Sequence, residues 1–242
     1  MSSQIWLDSA NLIELEKWFK SGMIGGVTTN PVILQKEGVT DLPEHIKKMI
    51  EISRLSFRIS IEIPTSEMSV DEMVDFAVKY ARMFPENAVI KVPMDAENPT
   101  KAFEVIHILR YETRRDIKEL QLDVETNATL GITSGQLIGA MEAGADFVSL
   151  FWGRCEEAGG VGALVTLKTV LKYREIHPYL TSRIIIGSLR SVDQIEKAIL
   201  GGADIVTVKP ELLEKWMFTQ RGVETMNEFN NAYRSVKDKI KL

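Results

Sequence analysis

Lys91 stands inside the run Val89-Ile90-Lys91-Val92-Pro93, where both neighbours on either side are apolar. Burial disfavours an ammonium, so a lysine enclosed in such a run becomes a nucleophile towards carbonyl carbon more readily than one in water. The other reading is a lysine paired with a carboxylate for register or packing. A second lysine competes with it. Lys209, in Val206-Thr207-Val208-Lys209-Pro210, sits at a strand end, where solvation is the commoner fate. Two carboxylates are placed to move protons. In Arg58-Ile59-Ser60-Ile61-Glu62-Ile63 the isoleucines share one strand face, and Arg58, Ser60 and Glu62 share the other. Glu62 is therefore a candidate acid or base, or else the partner of Arg58 in an ion pair. Asp8, in Trp6-Leu7-Asp8-Ser9, is either a second carboxylate of the site or the N-cap of the helix that follows.

Two arginines follow strand-like runs: Arg154 in Phe151-Trp152-Gly153-Arg154, and Arg190 in Gly187-Ser188-Leu189-Arg190. Ser188 and Arg190 fall at a strand-to-helix turn, a place suited to phosphate; a plain surface position is the alternative for either arginine. Gly159-Gly160-Val161-Gly162 lacks the spacing of a dinucleotide fingerprint and reads as a flexible loop. His45, His107 and His177 have no partners at metal-ligand spacing, so no metal site is expected. Cys155 is the single cysteine, which excludes an intrachain disulfide and fits a reducing compartment; unpartnered, it reads as inert.

The elements that must hold these residues repeat along the chain. Glu142 to Phe151 (EAGADFVSLF) and Leu200 to Lys209 (LGGADIVTVK) share one pattern: a helix ended by glycine, a short turn, then a β-rich apolar run. Strands are expected at Gln4–Leu7, Gly26–Thr29, Phe57–Ile63, Ala88–Val92, Gln121–Thr126, Phe147–Phe151, Arg183–Gly187 and Ile205–Lys209. Amphipathic helices lie between most of them. The clearest is Ser69 to Met83, with Val70, Met73, Val74, Ala77 and Ala81 at helical spacing and a Ser69/Glu72 capping box. Tyr111 to Glu119 is charge-rich and reads as a solvated helix end and loop. Eight strands alternating with helices over 242 residues fit a single-domain (β/α)8 TIM barrel spanning residues 1–242. An extra C-terminal helix follows Arg221, with Phe229 and Tyr233 on one face.

A formal net charge of −5 argues against a nucleic-acid binder, without excluding a local basic pocket for a small anion. No apolar run approaches the ~20 residues of a membrane span, and the first residues have no secretory pattern, so a cytoplasmic protein is expected.

The segments LDSAN, GGVTTNPVIL (Gly25 to Leu34), ISIEI, VIKVP, TNATLGIT (Thr126 to Thr133), AGADFVSLFWGR and GSLRS resemble, in this order, the transaldolase and fructose-6-phosphate aldolase family. That resemblance implies a (β/α)8 barrel that works through a Schiff-base lysine, without a cofactor, and assigns Lys91 rather than Lys209 to the role. It gives Asp8 the proton transfers at substrate hydroxyls, and Glu62 with Thr129 the hold on a catalytic water. Thr28, Asn30, Asn127 and Ser149 match positions that line the substrate pocket or position the enamine. Arg154, Ser188 and Arg190 match the site for a terminal phosphate. The implied partners are small ketose and aldose substrates, and small members of the family tend to form homo-oligomers, pentamers or decamers.

Within the family, the aldolase branch carries Gln at the position of Glu62 and Tyr at that of Phe151, so this chain resembles the transaldolases. Transfer of a dihydroxyacetone unit to an aldehyde such as glyceraldehyde 3-phosphate or erythrose 4-phosphate is expected, within a pathway such as the pentose phosphate pathway. Release of free dihydroxyacetone is the alternative, and a non-catalytic sugar-phosphate-binding barrel is a remote one. Trp152 and Cys155 flank Arg154 where the family has smaller or acidic residues, and Leu189 replaces a common Phe. These departures are drift, or they adapt the pocket to another tail such as the sulfonate of 6-deoxy-6-sulfofructose, which an indole N–H from Trp152 would suit.

Overall fold

The protein is described here by a computed structural model covering residues 3–53, 57–112 and 123–237. Eight parallel strands close into a barrel in chain order, with the eighth pairing the first. They are β1 (Gln4–Asp8), β2 (Gly26–Thr28), β3 (Arg58–Glu62), β4 (Ala88–Pro93), β5 (Glu125–Gly131), β6 (Phe147–Phe151), β7 (Arg183–Gly187) and β8 (Ile205–Val208). The helices around them, among the described residues, are α1 (Leu12–Lys20), α2 (Pro31–Lys36), α3 (Leu42–Ser53), α4 (Val70–Met83), α5 (Pro99–His107), α6 (Ser134–Glu142), α7 (Trp152–Ala158), α8 (Ala163–Ile176), α9 (Val192–Gly201), α10 (Pro210–Met217) and α11 (Gln220–Val236). None is long and apolar enough to cross a membrane.

β3 reads as its sequence alternation predicts. Ile59, Ile61 and Ile63 join the apolar layer between sheet and helices, which holds most of the core. A smaller cluster of Trp6, Val89, Phe147, Ile185 and Ile205, from β1, β4, β6, β7 and β8, fills the lumen from inside. The capping box of α4 forms as predicted, with Glu72 N–H donating to Ser69 Oγ and Glu72 reaching back to the Ser69 backbone.

The repeated GAD turn has a structural purpose. Gly144 and Gly202 take φ of 98° and 97°, a left-handed turn that glycine adopts without strain. The aspartate two residues on then reaches the start of the preceding strand. Thr126 N–H donates to Asp146 Oδ2 at 2.9 Å, and Ile184 N–H donates to Asp204 Oδ2 at 2.7 Å. Each carboxylate also takes an arginine: Arg110 on Asp146 at 3.0 Å and Arg174 on Asp204 at 2.5 Å. One motif thus ties strand to strand at two places around the barrel.

Two expectations are corrected. The fifth strand runs over Glu125–Gly131 rather than Gln121–Thr126, because its lumen side is polar and the strand continues through Asn127 and Thr129. Residues 121 and 122 lie outside the described residues, as does most of the charge-rich segment, from 113 onward. Arg58 does not pair with Glu62. It turns towards the N-terminal ends of the strands and grips Glu125 with two hydrogen bonds, at 2.5 and 2.8 Å. A cavity of about 380 Å³ lies there, lined by Trp6, Arg58, Glu125, Phe147 and Arg183, on the face of the barrel away from Lys91.

Candidate active site

At the C-terminal ends of the strands the lumen turns polar. Lys91 on β4 is 4% exposed, and its ammonium lies 2.6 Å from Glu62 Oε2 on β3. It also donates to the Thr29 carbonyl at 2.7 Å. The carboxylate pairing that stood against a nucleophilic role is therefore present, and the pair lies where barrel enzymes place their chemistry. Register explains the meeting. Glu62 pairs with Lys91 across β3 and β4, and Lys91 pairs with Asn127 across β4 and β5. Thr29 is held in turn, since its N–H and its hydroxyl both donate to the Ser60 carbonyl, at 3.2 and 2.9 Å.

Among the described residues, four buried side-chain polar atoms have no hydrogen bond: Ser60 Oγ, Asn127 Nδ2, Thr129 Oγ1, and Glu62 Oε2, the last of which meets Lys91 as an ion pair alone. All four are on β3 and β5, the strands on either side of Lys91. Unsatisfied polar groups are costly in a folded protein and mark places where a water or a ligand is received. Their gathering about one lysine marks a place able to receive the polar groups of a bound molecule. Thr129 lies within a bulge between Ala128 and Gly131, where Leu130 takes a φ of 67°. Ser149 Oγ donates to Asn127 Oδ1 at 2.8 Å, leaving the amide nitrogen of Asn127 for another acceptor.

Asp8 ends β1 beside Thr28, its register partner on β2, and accepts from Thr28 Oγ1 at 2.8 Å. It does not cap α1; Asn11 does, accepting from the N–H groups of Ile13 and Glu14. Burial pushes the Asp8 carboxyl above the usual carboxylate range, against the opposing pull of Lys91, Thr28 and Lys209, with Glu62 adding repulsion. A carboxyl so placed keeps a proton more readily than a free one, which suits it to proton exchange. Asn30 caps α2, accepting from Ile33 N–H at 2.9 Å, with Pro31 opening the helix.

Across the mouth, the β6 and β7 ends carry the cations. Arg154 and Arg190 both donate to the exposed carboxylate of Glu157, Arg154 at 3.1 Å. These two contacts, that of Arg190 foremost, hold the Glu157 carboxyl below its ordinary range. Two features bring the arginines together. Ser188 takes a φ of 57°, in the left-handed region, which turns the chain sharply after β7. Gly153 N–H donates to the Ser188 carbonyl at 3.1 Å, and a Cβ on Gly153 would meet that oxygen at 2.6 Å and Arg190 Nε at 2.7 Å. Phe151 is half-buried at the end of β6, level with Gly187 of β7.

Of the two readings of the three departures from the family pattern, their placement fits drift. Trp152, Cys155 and Leu189 are buried in the main apolar core. Cys155 Sγ faces Thr166 Oγ1 at 3.7 Å. Their side chains belong to packing beneath the arginines. Conversely, Glu157, Thr29 and Thr207 contact site residues and were missed. Thr207 Oγ1 lies 2.6 Å from Thr28 Oγ1, and its signal was its place on the lumen side of β8, two residues after Ile205.

The chain is similar to known proteins along nearly its whole length. A family model described as Transaldolase/Fructose-6-phosphate aldolase matches residues 5–241. A protein of Exiguobacterium sp. named "Probable transaldolase" is 32% identical over 233 residues, covering 95% of this chain and 98% of its own. A protein of the same name from Agathobacter rectalis is 30% identical over 236 residues, covering 96% and 98%. Among solved structures, a 2,3-dimethylmalate lyase of the PEP mutase/isocitrate lyase superfamily superposes with a TM-score of 0.56 over 98% of this chain and 82% of that one. At 13% identity that likeness concerns the barrel fold alone.

Proposed function

Because the chain belongs to the transaldolase/fructose-6-phosphate aldolase family, we propose that it is a Schiff-base transaldolase acting on a ketose with an anionic C6 group. The observation that carries this reading is the enclosed contact of Lys91 with Glu62, ringed by unsatisfied polar atoms. Glu62 takes the ammonium proton across that contact, and the freed amine of Lys91 attacks C2 of the ketose. Loss of water, held by Glu62 and Thr129, gives an iminium. Asp8 then removes the C4 hydroxyl proton, the C3–C4 bond breaks, and its electrons settle in an enamine of dihydroxyacetone on Lys91. The aldehyde fragment leaves with the anionic tail.

In the transfer half, the enamine carbon attacks an acceptor aldehyde such as glyceraldehyde 3-phosphate or erythrose 4-phosphate. Asp8 returns its proton to the new alkoxide, and water releases the product ketose from Lys91. Thr28, Asn30, Asn127 and Ser149 hold the hydroxyls of the bound sugar. Arg154, Arg190 and Ser188 hold its terminal phosphate, or a sulfonate in the same place. Glu62 together with Phe151 favours transfer over protonation and release of the enamine.

The test is product analysis with fructose 6-phosphate and with 6-deoxy-6-sulfofructose, each with and without an aldehyde acceptor, beside borohydride trapping. Transaldolase action gives a new ketose only when acceptor is present, and borohydride fixes the three-carbon unit to Lys91. Free dihydroxyacetone without acceptor would assign the lyase reaction instead. Absence of any adduct would leave a non-catalytic binding barrel.

A homo-oligomer is also proposed. α11 exposes Val223, Met226, Phe229 and Tyr233 along one face, next to exposed Met217 and Phe218. An apolar stripe of that length is what a neighbouring copy would cover. Light scattering giving the mass of one chain would refute it.

A further inference from the structure

We infer that Thr207 is a positioning residue for the Asp8 carboxylate, acting through the hydroxyl of Thr28. This rests on the reading of Asp8 as the group that takes the substrate proton.

Thr28 Oγ1 carries one proton, and it donates that proton to Asp8 Oδ1 at 2.8 Å. Thr207 Oγ1 lies 2.6 Å from the same Thr28 oxygen. With the Thr28 proton committed to the carboxylate, the hydrogen between the two threonines belongs to Thr207. The order of donation is therefore Thr207 to Thr28 to Asp8. β1 runs between β8 and β2 in the barrel, so the two threonines meet over β1 from either side, at the level just below Asp8. Both are buried.

The position of Thr207 on its strand supports the assignment. Ile205 belongs to the apolar layer that fills the lumen, and Thr207 is the next lumen residue towards the mouth. Valine would satisfy the packing and the β propensity of Ile205-Val206-Thr207-Val208 equally well. What threonine adds is one hydroxyl, spent on Thr28. A hydroxyl that accepts a hydrogen bond is a stronger donor, and away from water that strengthening is felt fully. Thr28 thereby holds the ionised carboxylate of Asp8 more firmly. The charged groups facing that carboxylate are Lys91 and Lys209, which favour ionisation, and Glu62, which opposes it. Because both links are hydroxyls, the chain reverses when Asp8 is protonated, with Asp8 donating to Thr28 and Thr28 to Thr207.

Thr207→Val keeps shape and removes the hydroxyl; Thr207→Ser keeps the hydroxyl. In full-length protein with 13C-labelled aspartate, the Asp8 carboxyl signal is assigned by its loss in Asp8→Asn and followed against pH. Loss of one hydrogen bond in the chain should move the Asp8 titration upward by about half a pH unit or more in Thr207→Val. The acid limb of kcat/KM for fructose 6-phosphate should move by the same amount. kcat should fall about tenfold with KM within about twofold, as befits loss of proton transfer rather than of binding. Thr207→Ser should restore both. An Asp8 titration unmoved in Thr207→Val overturns the inference, and so does a serine variant that behaves like the valine. If the valine variant does not fold, Thr207→Ala is read by the same two measurements. The carboxyl titration does not depend on turnover. A wild-type protein that cleaves no ketose would therefore count against the proposed function while Thr207 is still judged by the Asp8 signal.

Discussion

Lys91 and Glu62 are register partners on neighbouring strands, and their charged ends meet at 2.6 Å inside the barrel. Removing one member of an enclosed pair strands the other, at a cost of about 3–5 kcal/mol. Lys91→Ala should therefore lose all turnover and lower the stability read by urea denaturation by an amount near that range, while the circular dichroism of the barrel persists at low denaturant. Borohydride with a ketose should add mass at Lys91 of the parent protein and nowhere else. Mass on Lys209 would reverse the assignment of the nucleophile.

Glu62→Gln combined with Phe151→Tyr should shift partitioning from the acceptor towards free dihydroxyacetone. Glu62 touches the lysine that would carry the enamine, and Phe151 stands at the end of β6, on the same rim as the arginines. Chromatography of products at fixed acceptor concentration reads the ratio. A double variant that partitions as the parent does would remove these two residues from the choice between transfer and release.

Arg154 and Arg190 already share one anion, Glu157, so a substrate tail must compete with it. Arg154→Ala or Arg190→Ala should raise KM for fructose 6-phosphate about tenfold, the worth of one charge-assisted hydrogen bond at a partly wet site. Glu157→Gln should act the other way and lower it. Unphosphorylated fructose should respond little to any of the three. Trp152→Phe should affect phosphate and sulfonate donors equally, because Trp152 is buried in the core. A selective loss of the sulfonate donor would instead make the indole a tail ligand.

Asp8 carries a stability cost with a definite pH dependence. Its carboxyl is raised in the folded protein, so the native state binds its proton more tightly than the unfolded chain does. Stability contributed by this group therefore falls as pH rises from 3.8 through the folded value, and the penalty is complete only above that value. Asp8→Asn should be inactive yet melt higher than the parent at pH 7, and the difference should vanish as pH drops below 3.8. A lower melting temperature at pH 7 would contradict the sign.

Asp204 and Asp146 should matter to folding rather than to turnover. Asp204 is nearly enclosed, accepting from Ile184 N–H and from Arg174. Asp204→Ala leaves a strand amide unsatisfied and Arg174 with the Ser182 carbonyl but no counter-charge, and should cost about 3 kcal/mol by denaturant titration. Asp146→Ala, at a more open pair, should cost less.

The barrel was legible because its signals are local. Alternation in Arg58-Ile59-Ser60-Ile61-Glu62 and the glycine before each Ala-Asp turn specify strand and joint within a few residues. The strand that was misplaced, β5, has Asn127 and Thr129 on its lumen face and only Thr126 and Ala128 opposite, so no apolar alternation of the kind seen in β3 marks it. Side-chain partnership was harder to read, since it depends on register between strands far apart in the chain. Arg58 and Glu62 share a face, but the strand carries them to opposite ends of the lumen, to Glu125 and Lys91 respectively. Thr207 meets Thr28 across 179 positions of sequence. Arg154 and Arg190 were legible as cations after strands; that Glu157 would occupy both was a matter of how α7 starts against the turn after β7.

The layer of Trp6, Val89, Phe147, Ile185 and Ile205 makes the lumen a well with a floor. A well has one entrance. For a reaction in two halves at Lys91, the first aldehyde must leave by the route the second uses to arrive, so the two queue at one doorway and no complex holds both. Ping-pong kinetics then follow from the architecture, with the departing aldehyde competing against the acceptor and each able to push the enzyme backwards. The ratio of the two aldehydes outside the door, together with that of the two ketoses, then sets the direction of net flux.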